Sequence, residues 1–197
     1  MKRKTQARSL LSLCLLAAAA TLPAADTPTP EADVLAGQAK ASVAAFAGAL
    51  KSELMSAMKA GGPLQAIDVC HSTAPAIARE ISEQQGLQVS RVSQRNRNPE
   101  NAPTGWQTAV LDDFQSRLEA GGDPDAMTWQ EIADTGGGRE FRFMKAITTQ
   151  PLCLTCHGEA VAPDVTEKLS ELYPDDRATG FREGDLRGAF VVTSRLD

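Results

Sequence analysis

A chain of 197 residues is long enough for one domain with its own core and too short for two large ones. It carries 20 Lys and Arg against 25 Asp and Glu, a net charge of −5. That acidic balance argues against nucleic acid or anionic lipid as a partner.

The chain opens on a basic segment with Lys2, Arg3, Lys4 and Arg8, followed by an apolar run over 10–20 and small residues up to Ala24 and Ala25. The run is too short for an ordinary membrane span. The pattern is that of a secretory signal peptide, residues 1–25, cleaved near Ala24 or Ala25. An uncleaved N-terminal anchor is the alternative. Cys14 does not make this a lipoprotein signal, because Leu13 before it is too bulky and the apolar run continues past it. Cleavage removes four basic residues and no acidic ones, which leaves 16 against 25 and a net charge of −9. No later stretch is apolar and long enough for the bilayer, so the product is expected outside the cytoplasm, periplasmic in a Gram-negative cell.

Residues 26–33 begin with Pro and Thr (DTPTPE) and read as a disordered tether, with the folded domain at 34–197. Spaced apolar residues from Leu35 to Leu54 predict a long amphipathic helix over 33–59, ended by Gly61-Gly62-Pro63. A second helix is predicted over 64–84, ended at Gly86. Alternation over 87–97 predicts a strand, and the Asn- and Pro-rich 98–105 a loop. A third helix is predicted over 106–119. The segments 128–134 and 139–148 flank three glycines and read as a β-hairpin. A short helix over 165–172 and a closing strand over 188–194 complete the series. Helices and antiparallel strands in this order predict an α+β domain.

Between the hairpin and the short helix lies Cys153-Leu154-Thr155-Cys156-His157, a CxxCH motif. This is the attachment signature for c-type haem. Two cysteines three apart on one turn reach both vinyl groups, and the adjacent His157 meets the iron. A zinc site needs four ligands, and the chain has too few Cys and His to make a second cluster beside the motif. A thioredoxin-like CxxC needs a βαβ setting that is absent. One covalent haem is therefore expected, with Cys153 and Cys156 as thioethers and His157 as an iron ligand.

The second axial ligand is open at this level. Three cysteines remain after cleavage, so Cys70 has no partner if the motif pair holds haem. The other histidine, His71, is its neighbour, and adjacent helical residues point about 100° apart. On a wheel, Cys70 lies about 30° and His71 about 70° from the centre of the apolar face. Cys70 thus points more directly inward, with His71 as the alternative. Met144, Met55 and Met58 are weaker candidates, since methionine more often fills core. For the haem propionates, Arg91, Arg95 and Arg97 share one side of the predicted strand, and Arg187 is a further candidate. Arg97 is the first choice. A solvated basic face is the plainer account of any one of them.

Four segments carry a family resemblance: Ala66-Ile67-Asp68-Val69-Cys70; Arg97-Asn98-Pro99 with Asn101 and Pro103; Pro151 through Gly158; and Gly184-Asp185-Leu186-Arg187-Gly188-Ala189. In this order the chain resembles the periplasmic, PAS-like c-type haem family, a domain of unknown function with one CxxCH motif. The resemblance covers most of the mature chain. It implies a PAS-like α+β fold, an antiparallel sheet with flanking helices around one covalently bound haem. It also implies an axial pair of His157 and the upstream cysteine, here Cys70. Family members often precede signalling modules, and this sequence ends at Asp197 without one.

Protein ligands on both sides of the iron favour single-electron transfer with a redox partner protein. The alternative is a haem-based redox or gas sensor that signals through a partner. A peroxidase-like enzyme is the weakest reading, since no distal base is evident beyond His71 and no catalytic constellation is present.

Overall fold

The computed structural model describes residues 30–196. The expected signal peptide, with Cys14, lies outside them. Helix α1, Pro30–Asp68, starts inside the stretch expected as a tether: Ala32 is already buried, so residues 30–33 belong to the helix. The break predicted at the glycines is present as a kink. Gly62 takes a left-handed φ of 70°, which glycine adopts without steric cost, and Pro63 follows.

The second predicted helix is not uniform. After α1 the backbone widens into a π-helical turn, Val69–Thr73, before α2 resumes at Ala74–Gln85. Gly86, at φ 68°, closes α2 by donating its N–H to Ser82 O at 2.9 Å. Strand β1, Gln88–Val92, is shorter than the alternation over 87–97 predicts. At Ser93 the backbone N–H turns away to Asn101 O, 3.0 Å, and the chain leaves the sheet. Arg95 and Arg97 are therefore loop residues. Helix α3, Gly105–Glu119, is entered through Gln107, whose side chain accepts from Thr104 N–H at 2.8 Å.

The hairpin is as expected: β2, Thr128–Thr135, and β3, Gly138–Thr148. The motif lies on a 3₁₀ turn, Pro151–Cys153, leading into the single-turn helix α4, Leu154–His157. Helix α5, Pro163–Leu172, and strand β4, Leu186–Leu196, follow. The four strands form one antiparallel sheet in the order β1-β4-β3-β2. The α+β class and the antiparallel sheet with flanking helices are as expected.

The strand period of two sorts the core onto both faces. Phe141 and Phe143 of β3 and Val192 of β4 pack under Ala39, Val43 and Phe46 of α1 and Ile77 of α2. Met144, Ala146, Ala189 and Val191 face Val110, Leu111 and Phe114 of α3. Each fully buried phenylalanine contributes roughly 1.5–3 kcal/mol of transfer free energy. Met144 belongs wholly to this second core. A third cluster joins Ile67 of α1 to Val165, Leu169 and Tyr173 at α5. It fixes the end of α1 beside the motif. Among the described residues no helix is long and apolar enough to cross a membrane.

Candidate functional site

One cavity collects most of the residues singled out above. Leu50, Leu54, Met58 and Ile67 of α1 and Cys70 of the π turn form its first wall. Arg91 and Val92 of β1, with Arg187 and Gly188 of β4, form the second. Leu152, Cys153, Thr155, Cys156 and His157 form the third. The cleft holds about 1200 Å³ of space out to its mouth. Cys70 thus shares a cavity with a motif more than eighty residues away. His71 does not line it. It is exposed and packs edge-on against Tyr173, ring centroids 5.3 Å apart. Met55 is 47% exposed, which leaves Met58 as the methionine on the cavity wall.

Local backbone chemistry holds the motif in place. Gly158 caps α4 by donating its N–H to Leu154 O at 3.0 Å; a Cβ there would lie 2.6 Å from that same oxygen. The segment 178–181 then lies along the motif, with Phe181 N–H on His157 O at 2.9 Å. Ala178 O sits 2.7 Å from His157 Nδ1. A carbonyl only accepts, so Nδ1 carries the proton and Nε2 keeps its lone pair for a metal. Burial, reinforced by the Arg187 and Arg97 charges, holds the His157 pKa well below the usual histidine range. The ring is neutral, as a metal ligand must be.

Arg97 is 8% exposed and ties the motif to the rest of the fold. Its Nε donates to Asp176 at 3.0 Å, and one terminal nitrogen donates to Cys156 O at 2.6 Å and Ala178 O at 3.3 Å. Asp176 and the Ala178 carbonyl were not legible as partners in the sequence. One lies 79 residues from Arg97, and the other is a backbone atom. Arg95 turns outward, donating to Thr179 O with its guanidinium 3.8 Å from the Phe181 ring centroid.

Burial pushes the Cys70 thiol pKa up, against the opposing pull of Arg91, Arg97 and Arg187. Burial also raises that of Cys156. Cys70, Cys153 and Cys156 are all free thiols. Among the described residues no three His, Cys, Asp or Glu side chains converge as they would around a bare metal ion. The donors present, one neutral imidazole and one thiol from separate walls, suit a metal that brings its own equatorial ligands. Two more thiols on one turn suit covalent attachment of such a macrocycle, and the apolar walls and arginines suit its body and its acidic groups. The residues therefore fit a haem.

Comparison with known proteins agrees with this architecture. The crystal structure of the cyanobacterial haem protein Tll0287 is similar, with a TM-score of 0.60 and 26% sequence identity. The match covers 86% of this chain and 98% of that one. No curated protein matches. A family model described as Tll0287-like matches residues 21–195. With nearly the whole chain matched, and the fold shared with a haem protein, the chain belongs to the Tll0287-like family.

Proposed function

We propose that this protein is an exported monohaem c-type cytochrome domain that carries single electrons. The observation that supports it most is the meeting of Cys70 with the CxxCH motif in one arginine-bearing cavity. Cys153 and Cys156 would hold the haem as thioethers. His157 would offer Nε2 to the iron, oriented by its Nδ1–H on Ala178 O. Cys70 would supply a thiolate from the opposite wall; a bound metal cation favours the deprotonated sulfur, and the nearby arginines add to that. The bound haem supplies a one-electron iron couple, and thiolate ligation stabilises its ferric state and lowers its potential. With both axial positions filled by side chains, outer-sphere electron exchange with a redox partner protein is favoured over substrate chemistry.

A sensor reading has one observation in its favour. Cys70 sits on a π-helical turn between two helices, and such turns are frequent at functional sites. Release of Cys70 from the iron would act on both helices.

Protein made with the cytochrome c maturation machinery is expected to gain the mass of one haem and to stay red after acid–acetone extraction. A colourless product with free thiols at Cys153 and Cys156 would end the haem reading. The same sample is expected to come from the periplasmic fraction with its N-terminus at Ala25 or Asp26. A membrane-bound chain retaining Met1 would mean an anchor instead. The ferrous spectrum under CO separates the two readings, since a CO adduct requires one side chain to leave the iron, and the thiolate is the one that reduction weakens.

A further inference from the structure

Two of the cavity's arginines lack an anionic partner. Arg97 is committed to Asp176 and two carbonyls, and Arg95 to Thr179 O. Arg187 donates from one terminal nitrogen to Ser93 Oγ at 3.2 Å and Arg95 O at 3.4 Å. Its other nitrogens make no hydrogen bond among the described residues. Arg91 makes no hydrogen bond or ion pair among them, and its guanidinium lies 5.4 Å from the Phe46 ring centroid. Both side chains line the cavity, and no Asp or Glu does. Burial pushes the pKa of Arg91 down and that of Arg187 down to about 10. A guanidinium keeps its proton in proteins, so each carries a charge that needs a partner.

The backbone brings these two side chains together. Arg91 is the penultimate residue of β1, and Arg187 is the second residue of β4, its antiparallel partner. Between Arg187 and Ala189, the first residue of β4 to pair with β1, stands Gly188, at φ 150°. A Cβ there would lie 2.2 Å from Val92 O, so only glycine lets β4 start this close to β1.

Charge held away from water is costly unless it is paired. Arginine meets a carboxylate through two parallel hydrogen bonds. Resting on the haem reading above, we propose that Arg91 and Arg187 seat the two haem propionates, one carboxylate each, against the β1–β4 edge. Arg97 then serves as a positioning residue for the motif. The thioether edge of the ring lies at Cys153 and Cys156, beside Leu152, which is 36% exposed. The acidic edge, on the far side of the macrocycle from the vinyl positions, would then face Arg91 and Arg187 on the opposite wall.

The test is resonance Raman spectroscopy of the ferrous holoprotein, with haem content measured on every sample. Arg91→Leu and Arg187→Gln are expected to keep one covalent haem, since the thioethers lie elsewhere. Each is expected to shift a propionate bending mode to lower frequency as its hydrogen bonds are lost. Arg91→Lys, which keeps the charge and removes the paired donors, is expected to give a smaller shift in the same direction. It also serves if Arg91→Leu does not fold. Arg95→Gln is expected to leave the modes in place. Unmoved propionate modes in both variants with haem attached would overturn the proposal. So would a changed ferric ligand field with unmoved propionate modes in Arg91→Leu, which would make Arg91 a counter-ion of Cys70 instead. A wild-type protein without haem would overturn the cofactor reading itself, a failure told apart by its colour and mass.

Discussion

Cys70→Ser is expected to retain its covalent haem, lose its low-spin thiolate spectrum, and raise its midpoint potential by about 0.1 V or more. That is a modest part of the roughly 0.8 V that axial ligands span in haem proteins. The haem is expected to stay because the proposed thioethers are at Cys153 and Cys156. The potential rises because a thiolate donates charge to iron and stabilises the ferric form, and a neutral hydroxyl or water does not. His71→Ala is the matched control. His71 is exposed and touches Tyr173 edge-on from outside the cavity, so its loss is expected to leave the ferric spectrum unchanged. An unchanged spectrum in Cys70→Ser with a lost low-spin signal in His71→Ala would make this a bis-histidine haem. CO offered to the ferrous wild type adds the dynamic half of the test. Reduction removes a positive charge from the iron and weakens its hold on the thiolate. A CO adduct in wild type would show that an iron-bound side chain yields in the ferrous state, as a sensor requires, and its absence would favour electron transfer.

Local patterns made much of this molecule legible. The CxxCH motif is contiguous, so its chemistry could be read without the fold. Three glycines between two segments marked the hairpin, and the folded sheet sorts Phe141, Phe143 and Val192 onto one face and Met144 and Val191 onto the other. The glycines at 61 and 62 predicted the break that their dihedral angles show. The failures come where hydrogen bonds decide over pattern. Alternation continues through Arg95 and Arg97, but Ser93 N–H finds Asn101 O and the strand stops. The π turn at Val69–Thr73 joins α1 to α2, and no residue pattern marked it. A wheel of 3.6 residues per turn is only approximate there, yet it turned Cys70 inward because Ile67 and Ile77 flank it on the apolar face. The division of labour among the four arginines was beyond the sequence for a simple reason. Arg95 and Arg97 are bound by backbone oxygens and, for Arg97, an aspartate far along the chain, and Arg91 has no hydrogen-bonding partner among the described residues.

Arg97→Met is expected to destabilise the holoprotein by about 3–5 kcal/mol, the usual cost of removing one member of a buried ion pair. Three acceptors lose their donor at once: the Asp176 carboxylate, Cys156 O and Ala178 O. Asp176 is 13% exposed, so water restores little of what it loses. It is also committed elsewhere, accepting from Ala178 N–H at 2.8 Å, and cannot swing out to solvent without freeing the segment that holds His157. Arg97→Lys is expected to recover less than half of the loss, since one ammonium cannot reach acceptors that a planar guanidinium spans. Asp176→Asn leaves Arg97 charged beside Arg91 and Arg187, and is expected to cost less than Arg97→Met because the two carbonyl bonds survive. Urea denaturation of these variants and of the double mutant measures the coupling. The pair should be strongly non-additive, because the double mutant strands neither charge. Additive losses would mean that Arg97 and Asp176 act separately. The Arg97→Met spectrum then checks the positioning role. Loosening Ala178 O frees the His157 ring to rotate, so the low-spin ferric signal should broaden in the variant while haem content stays at one.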